Sequence, residues 1–168
     1  IMYVNFIFVA IFLGYSLGSA PIISFHYGAG NHDELKNMRK KSLRLIAVWG
    51  IGMTIISHIF ALPFARFFVG YDSELLAMTI HGFRIYAFVY LLNGFNIFGS
   101  SFFTALNNGM VSATISFLRT LVFEVICILL LPVFFGIDGI WSAVLVAEAL
   151  ALCVTSFFLI TKRSRYHY

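Results

Sequence analysis

Apolar residues fill most of this chain in five long stretches, and short polar breaks separate each stretch from the next. The stretches cover residues 2–27, 45–69, 75–105, 110–135 and 139–161. A helix needs about 20 mostly apolar residues to cross a hydrocarbon core of about 30 Å. The pattern therefore predicts five transmembrane helices in an all-α integral membrane protein.

The polar breaks contain the Gly, Asn and Asp residues that commonly end helices. They cover residues 28–44, 70–74, 106–109 and 136–138. None of them is long enough to hold a soluble domain. We therefore expect a single transmembrane domain, residues 1–168, with a basic loop at 28–44 and a short tail at 162–168.

Positive charge collects at one end of the predicted bundle. Five crossings place the loop 28–44 and the tail 162–168 at the same end. The basic residues of that end are Lys36, Arg39, Lys40, Lys41, Arg44, Lys162, Arg163 and Arg165. The breaks at the opposite end contain Asp72, Glu74 and Asp138. Because Lys and Arg beside membrane helices stay in the cytoplasm, we expect a multi-pass protein of the plasma (cell) membrane whose carboxyl terminus is cytoplasmic.

The composition limits the partners of this charge. It is 61% hydrophobic and 11% charged, which is unlike an ordinary soluble domain of 168 residues. A net charge of +4 is compatible with nucleic-acid binding, but the basic residues lie beside membrane helices and form no RNA- or DNA-binding motif. We expect anionic lipid headgroups, and no nucleic acid, as the partner of the basic loop.

The first residues are typical of neither a signal peptide nor a natural start. The chain begins at Ile1, lacks a charged amino-terminal region and runs straight into an apolar stretch. We therefore expect a fragment whose upstream part is missing, and a start at Met2 is the alternative.

Four ionisable residues inside the predicted spans are the main candidates for chemistry: Arg84, Arg119, Glu124 and Glu148. Each costs about 2.5 to 3.5 kcal/mol at a helix centre, so all should face protein or water. Arg119 and Glu124 lie about 140° apart on an ideal helix and do not form a natural pair there. One interpretation is structural ion pairing by Arg84 and Arg119, for example between Glu148 and Arg84. The other is that Glu124 or Glu148 takes up a proton or attracts a cation in a water-filled cavity.

A polar stripe marks one face of the third span. It consists of Tyr86, Tyr90, Asn93 and Asn96, at spacings of three and four. Such a stripe either lines a substrate or ion pathway or bonds across helices, and both interpretations stay open.

Other residues favour packing rather than chemistry. Gly14 and Gly18 form a GxxxG pair that predicts close helix packing, with substrate contact as the alternative. His58 and His81 are isolated in apolar sequence, so we expect local bonding and no metal site. HExxH, CxxC and GxSxG motifs are absent, and no GxGxxG follows a strand, so we expect no enzyme.

Several runs of residues resemble one family of transporters. The run PIISFHYGAGN at 21–31, followed by the basic segment, is similar to the end of a repeat's second helix in the multidrug and toxic compound extrusion (MATE) family. This family lies within the multidrug/oligosaccharidyl-lipid/polysaccharide exporter superfamily. Further runs follow the order of the carboxyl-terminal half of these proteins: FFTALNNG at 102–109, Leu118-Arg119, Leu131-Pro132, GIDGIW at 136–141 and Ala147-Glu148. The resemblance covers nearly the whole chain.

The resemblance implies most of the second lobe of a twelve-helix, pseudo-symmetric transporter, helices eight to twelve, whose partner is the missing amino-terminal lobe. It implies secondary active antiport by alternating access, in which organic, often cationic and lipophilic compounds leave in exchange for protons or sodium ions. No cofactor is implied. Sodium-coupled members carry an acid near the end of the helix that corresponds to 75–105, and this chain has Leu106-Asn107-Asn108-Gly109 there. Proton coupling is therefore favoured over sodium.

Two alternatives remain open. A lipid-linked oligosaccharide or polysaccharide flippase of the same superfamily should line its cavity with more cations, and only Arg84 and Arg119 are available for this here. A non-transporting membrane adaptor or truncated pseudotransporter would need no solvated carboxylate inside the membrane.

Overall fold

A computed structural model describes residues 1–168, and every regular element in it is helical. Four continuous helical segments are long and apolar enough to cross a membrane: Met2–Gly28, His32–Ile59, Ser73–Ala105 and Gly109–Thr161. The last of these contains 53 residues, which is more than twice the length that one crossing requires.

The basic segment expected as a loop at 28–44 is helical from His32 onward. The first helix, α1, covers Met2–Gly28, and α2 covers His32–Ile59. The Asn31 side chain caps α2, because its Oδ1 accepts a hydrogen bond from the backbone N–H of Glu34 at 3.2 Å. The acidic residues of the first turn complement the positive end of the helix dipole, and Lys and Arg are good helix formers. The loop prediction was therefore wrong beyond the first few residues.

The second and third spans both contain a local break. A short helix, α3 (Ala61–Val69), continues the second span after an interruption at Phe60. The third span consists of α4 (Ser73–Tyr86), a tighter turn at Ala87–Val89 and α5 (Tyr90–Ala105). Asp72 caps α4 by accepting hydrogen bonds from the backbone N–H groups of Glu74 and Leu75.

The longest segment folds back on itself and supplies two spans. It contains α6 (Gly109–Phe117), a wide π-helical turn at Leu118–Phe123 and α7 (Glu124–Thr161). Gly136 interrupts α7 with φ 58° and ψ −132°, a conformation that glycine adopts without a steric penalty. Cys127 consequently packs with Ala143 and Ala147 from beyond the break. The break gives α7 a first and a second arm, and the total of five spans matches the prediction.

The third span lies at the centre of the bundle. Helix α5 packs against α1, α2, α6 and α7. Glycines allow two of these approaches: a Cβ on Gly94 would lie 2.6 Å from the Phe12 ring, and a Cβ on Gly99 would collide with Thr155. By contrast, nothing lies within 4 Å of a Cβ built on Gly14 or on Gly18. The packing predicted for that GxxxG pair is therefore wrong for contacts within this chain.

The tail expected at 162–168 docks onto the basic end of the bundle. A short helix, α8 (Arg163–Tyr166), is followed by His167 in the left-handed region, and the Tyr168 side chain is fully buried. Its ring packs edge-on against Phe102, and the guanidinium of Arg39 lies 5.1 Å from the ring centre. Burial raises the pKa of the Tyr168 phenol to about 12, although Arg39 acts in the opposite direction. The tail thereby ties the fifth span to the second and third.

Candidate functional site

A π-helical turn brings Arg119 and Glu124 onto the same side of the fourth span. The backbone N–H of Glu124 bonds to the carbonyl oxygen of Arg119, five residues earlier. A bond from residue i to i+5 brings these two residues to the same side of the helix, whereas an α-helix would separate them by about 140°. The separation that the sequence predicted is therefore wrong at this turn.

Arg119 forms an ion pair with Glu148 of the fifth span. Its Nε and Nη2 atoms both donate to Oε1 of Glu148, at 2.9 and 2.6 Å. The two residues are 29 apart in sequence, a distance of about 43 Å along a straight helix, so the reversal at Gly136 is what brings them together. Arg84, the partner suggested for Glu148, forms no ion pair and is exposed. The predicted pairing with Arg84 was therefore wrong.

Asn96 completes the hydrogen bonding of Glu148. Its Nδ2 donates to Oε2 of Glu148 at 2.7 Å and to the main-chain carbonyl oxygen of the same residue at 3.0 Å. The hydroxyl of Thr155 donates to Oδ1 of Asn96 at 2.9 Å, which fixes the amide with its nitrogen toward Glu148. Asn96 and Thr155 are both fully buried, and Glu148 is 5% exposed. The third, fourth and fifth spans are thus joined by one polar cluster in which both carboxylate oxygens of Glu148 are bonded, the arrangement in which a buried charge is tolerated.

Glu124 differs from Glu148 because it has no partner. It is only partly buried, and its carboxylate forms no ion pair and accepts no hydrogen bond. It nevertheless lies within electrostatic reach of Arg119 and Glu148. The structure therefore distinguishes the two glutamates suggested by the sequence: Glu148 is held by hydrogen bonds, and the carboxylate of Glu124 is unpaired.

The polar stripe of the third span faces the interior of the bundle. Tyr86, Tyr90, Asn93 and Asn96 are between 0% and 6% exposed. The Tyr90 hydroxyl and the Asn93 Oδ1 have no hydrogen-bond partner. Asn96 is the member that bonds across helices, and a pathway role for the other three stays a prediction.

A hydroxyl-lined cavity of about 280 Å³ leads to Arg119 between the first, third and fourth spans. Its polar lining residues are Ser16, Ser100, Ser101, Thr104, Ser116 and Arg119. Ser100 lies at the centre, because its hydroxyl is 2.9 Å from that of Ser112 and 2.8 Å from that of Ser116. This cavity was not predicted from the sequence, although Ser112 and Ser116 have the spacing of one helix face.

Charged groups at the two ends of the bundle remain separate from this site. Lys36 pairs with Asp33 at 3.5 Å, and the ring of His32 lies 5.1 Å from that of His167 at the basic end. At the opposite end, the Nε2 atom of His81 lies 2.8 Å from Oδ1 of Asp138. His58 bonds within its own helix, to the carbonyl oxygen of Thr54 at 2.9 Å.

Comparison with known proteins decides the family. The sequence model of the MatE family matches residues 1–130, which is most of the chain. The chain belongs to the MatE family. Members of this MATE family are membrane transporters rather than enzymes. No curated protein matches the chain.

Solved MATE transporters have the same fold. The Vibrio cholerae MATE transporter VcmN in its bent form superposes with a TM-score of 0.83 at 21% identity, over 96% of this chain and 37% of VcmN. An inward-facing multidrug resistance MATE transporter superposes with a TM-score of 0.90 at 18% identity, over 99% of this chain and 39% of that one. A MATE protein in complex with MaL6 gives a TM-score of 0.89 at 18% identity, over 98% of this chain and 37% of that one. The chain thus spans less than two-fifths of the length of these transporters.

Proposed function

We propose that this chain is part of a secondary active multidrug efflux antiporter of the cell membrane. It exports organic, often cationic and lipophilic compounds in exchange for protons, and it corresponds to helices eight to twelve in the second of two lobes. The basic end lies in the cytoplasm, against anionic headgroups. Membership of the MATE family supports the efflux class, and the unpaired carboxylate of Glu124 is the observation that supports exchange.

One carboxylate can couple the movement of a proton to that of an organic cation, because it binds either of them but not both at once. An ionised Glu124 attracts an organic cation, and a protonated Glu124 is neutral and releases it. Export then requires that proton binding and substrate binding exclude each other, while the transporter opens alternately to the two sides. Glu124 suits this role better than Glu148, whose two oxygens already accept hydrogen bonds from Arg119 and Asn96.

The choice of proton over sodium follows from the ligands around the carboxylate. Sodium prefers several oxygen ligands, and no group of three or more His, Cys, Asp or Glu side chains is assembled around Glu124 to hold a metal ion. The nearest charged neighbour on its own helix is the cationic Arg119. A proton needs only the carboxylate itself.

The decisive experiment measures efflux of a fluorescent lipophilic cation from vesicles that contain the full-length transporter. Proton and sodium gradients are imposed separately. We expect efflux under the proton gradient, a loss of about tenfold or more in Glu124→Gln, and no loss in Glu74→Gln, a matched change at an exposed residue of the opposite end.

Other outcomes would redirect the proposal. Wild-type efflux in Glu124→Gln would move the coupling carboxylate outside this chain, and efflux driven only by sodium would overturn proton coupling. The absence of efflux under either gradient would favour the flippase, for which the structure gives little support, since Arg119 is neutralised by Glu148.

A further inference from the structure

We propose that Arg119 is a positioning residue that exchanges between two carboxylates, Glu148 of the fifth span and Glu124 of the fourth. When Glu124 is protonated, Arg119 pairs with Glu148. When Glu124 loses its proton, Arg119 turns toward it and loosens the contact between the two spans. This inference rests on the proposed function, in which Glu124 binds the coupling proton.

The guanidinium has the geometry for this exchange. Its Nε and Nη2 atoms bond to Glu148, and Nη1 forms no hydrogen bond. The Arg119 side chain is 23% exposed and borders the hydroxyl-lined cavity, so it has room to move, whereas the Glu148 side chain is 7% exposed. Arg119 is thus the mobile member of the pair and Glu148 is the fixed one.

The π-helical turn places the second carboxylate within reach. Glu124 lies one wide turn beyond Arg119 on the same side of the helix, and its carboxylate has no ion-pair or hydrogen-bond partner. An α-helix with the same sequence would direct the two side chains about 140° apart. Wide turns of this kind occur frequently at functional sites, and here the turn performs a definite task by aligning a cation with an otherwise unpaired acid.

Glu148 tolerates the temporary loss of Arg119. Its Oε2 keeps the hydrogen bond from Asn96, and Thr155 holds that amide in place. A carboxylate with a hydrogen-bond donor is less costly to bury than an isolated one. The cluster can therefore exist in two arrangements, with Arg119 directed to either acid, and the protonation of Glu124 selects between them.

Few other charges compete with this exchange. The titratable groups that interact electrostatically with Glu124 are Arg119 on its own helix, Glu148 on the second arm of α7 and Tyr86 on α4. Tyr86 is a neutral phenol 6% exposed, so it contributes a dipole rather than a charge. The equilibrium between the two arrangements of Arg119 is therefore set by one cation and two carboxylates.

The test measures proton binding directly and does not depend on transport. The carboxylic acid signal of Glu124 is followed by infrared difference spectroscopy as pH is varied on the purified full-length transporter, and Glu124→Gln identifies that signal. We expect Glu148→Gln to move the midpoint of this titration to lower pH by about one unit or more, because Arg119 then pairs permanently with Glu124. We expect Arg119→Gln to move the midpoint to higher pH by a similar amount, because two acids then face each other without a cation.

Two further variants guard against misfolding. Arg119→Lys keeps the charge and should leave the midpoint nearer to that of the wild type than Arg119→Gln does. The double variant Arg119→Gln with Glu148→Gln leaves no unpaired charge buried, and its midpoint should fall between those of the two single variants.

The outcomes separate this inference from the proposed function. Midpoints that shift in opposite directions support the exchange, even if the same protein exports no drug. Midpoints that stay unchanged or shift in the same direction overturn the exchange, and so does a spectrum in which Glu124→Gln removes no titrating signal. Efflux measured on the same preparations then tests the antiport proposal by itself.

Discussion

At the scale of single residues, two asparagines three positions apart on α5 have different environments. Asn96 is fully buried, donates to Glu148 and accepts from Thr155. Asn93 is 3% exposed, and its Oδ1 has no partner. A buried polar group that lacks its partner costs free energy, whereas one with all its partners is roughly neutral or stabilising. Identical side chains in one stripe should therefore contribute to stability with opposite signs.

Substitution by leucine tests this difference. Asn96→Leu removes the hydrogen bond to Oε2 of Glu148 and leaves the Thr155 hydroxyl without its acceptor, and we expect it to destabilise the protein by about 1 to 3 kcal/mol. Asn93→Leu removes an unpaired group of similar size and should be neutral or stabilising. The apparent melting temperature of purified protein in detergent measures both. An equal decrease of the melting temperature in the two variants would contradict the difference in hydrogen bonding between Asn93 and Asn96.

The residue scale is also where the sequence was least informative. Arg119 and Glu124 looked like members of opposite faces because an α-helix advances about 100° per residue. The residue types between them do not predict a π-helical turn, which depends on packing against the neighbouring spans. The partner of Glu148 was equally hidden, since Arg84 and Arg119 are both arginines in neighbouring spans. Only the folded arrangement distinguishes them.

At the scale of elements, the spans were predictable and their contacts were not. The length of each apolar run is set by the thickness of the bilayer, so five spans could be read from residue type alone. The break at Gly136 was also visible as a cluster of Gly and Asp at 136–139. Helix contacts depend on which face each helix turns inward. The GxxxG pair drew attention to Gly18, yet the close approach occurs at Gly94.

Alanine substitutions compare these two glycines. A Cβ at Gly94 would lie 2.6 Å from the Phe12 ring and 2.8 Å from Ile46, so α1, α2 and α5 would have to separate. We expect Gly94→Ala to destabilise the protein by about 1 to 3 kcal/mol, as overpacked cores generally do. Gly18→Ala should be neutral or stabilising, because nothing lies near its Cβ and alanine favours the helix. The test compares the apparent melting temperatures of the two purified variants. A larger decrease in Gly18→Ala than in Gly94→Ala would mean that the helices do not pack as described.

At the scale of the whole molecule, the chain is closely packed inside and open at its candidate site. Tyr90, Phe98 and Phe102 fill the centre of the bundle and are fully buried. Glu124 lies partly exposed on the side of the bundle rather than inside it. A carboxylate in that position lines a closed pathway only if further helices, which act as a second wall, cover its exposed side. The chain spans 37% to 39% of the solved transporters that it resembles, which leaves most of their length to supply that wall.

We therefore expect this chain alone to insert and fold but not to transport. Its polar cluster, its central aromatic residues and its docked tail are all formed from its own residues, which is why we expect the isolated chain to fold. Alternating access requires two bodies that move against each other around a shared cavity, and the five spans of this chain, with α5 at their centre, form only one. The measurement is efflux of a lipophilic cation from vesicles that contain the isolated chain, with the full-length transporter at equal density as the control. Gradient-driven efflux by the isolated chain that is lost in Glu124→Gln would mean that copies of this chain supply the second wall to one another.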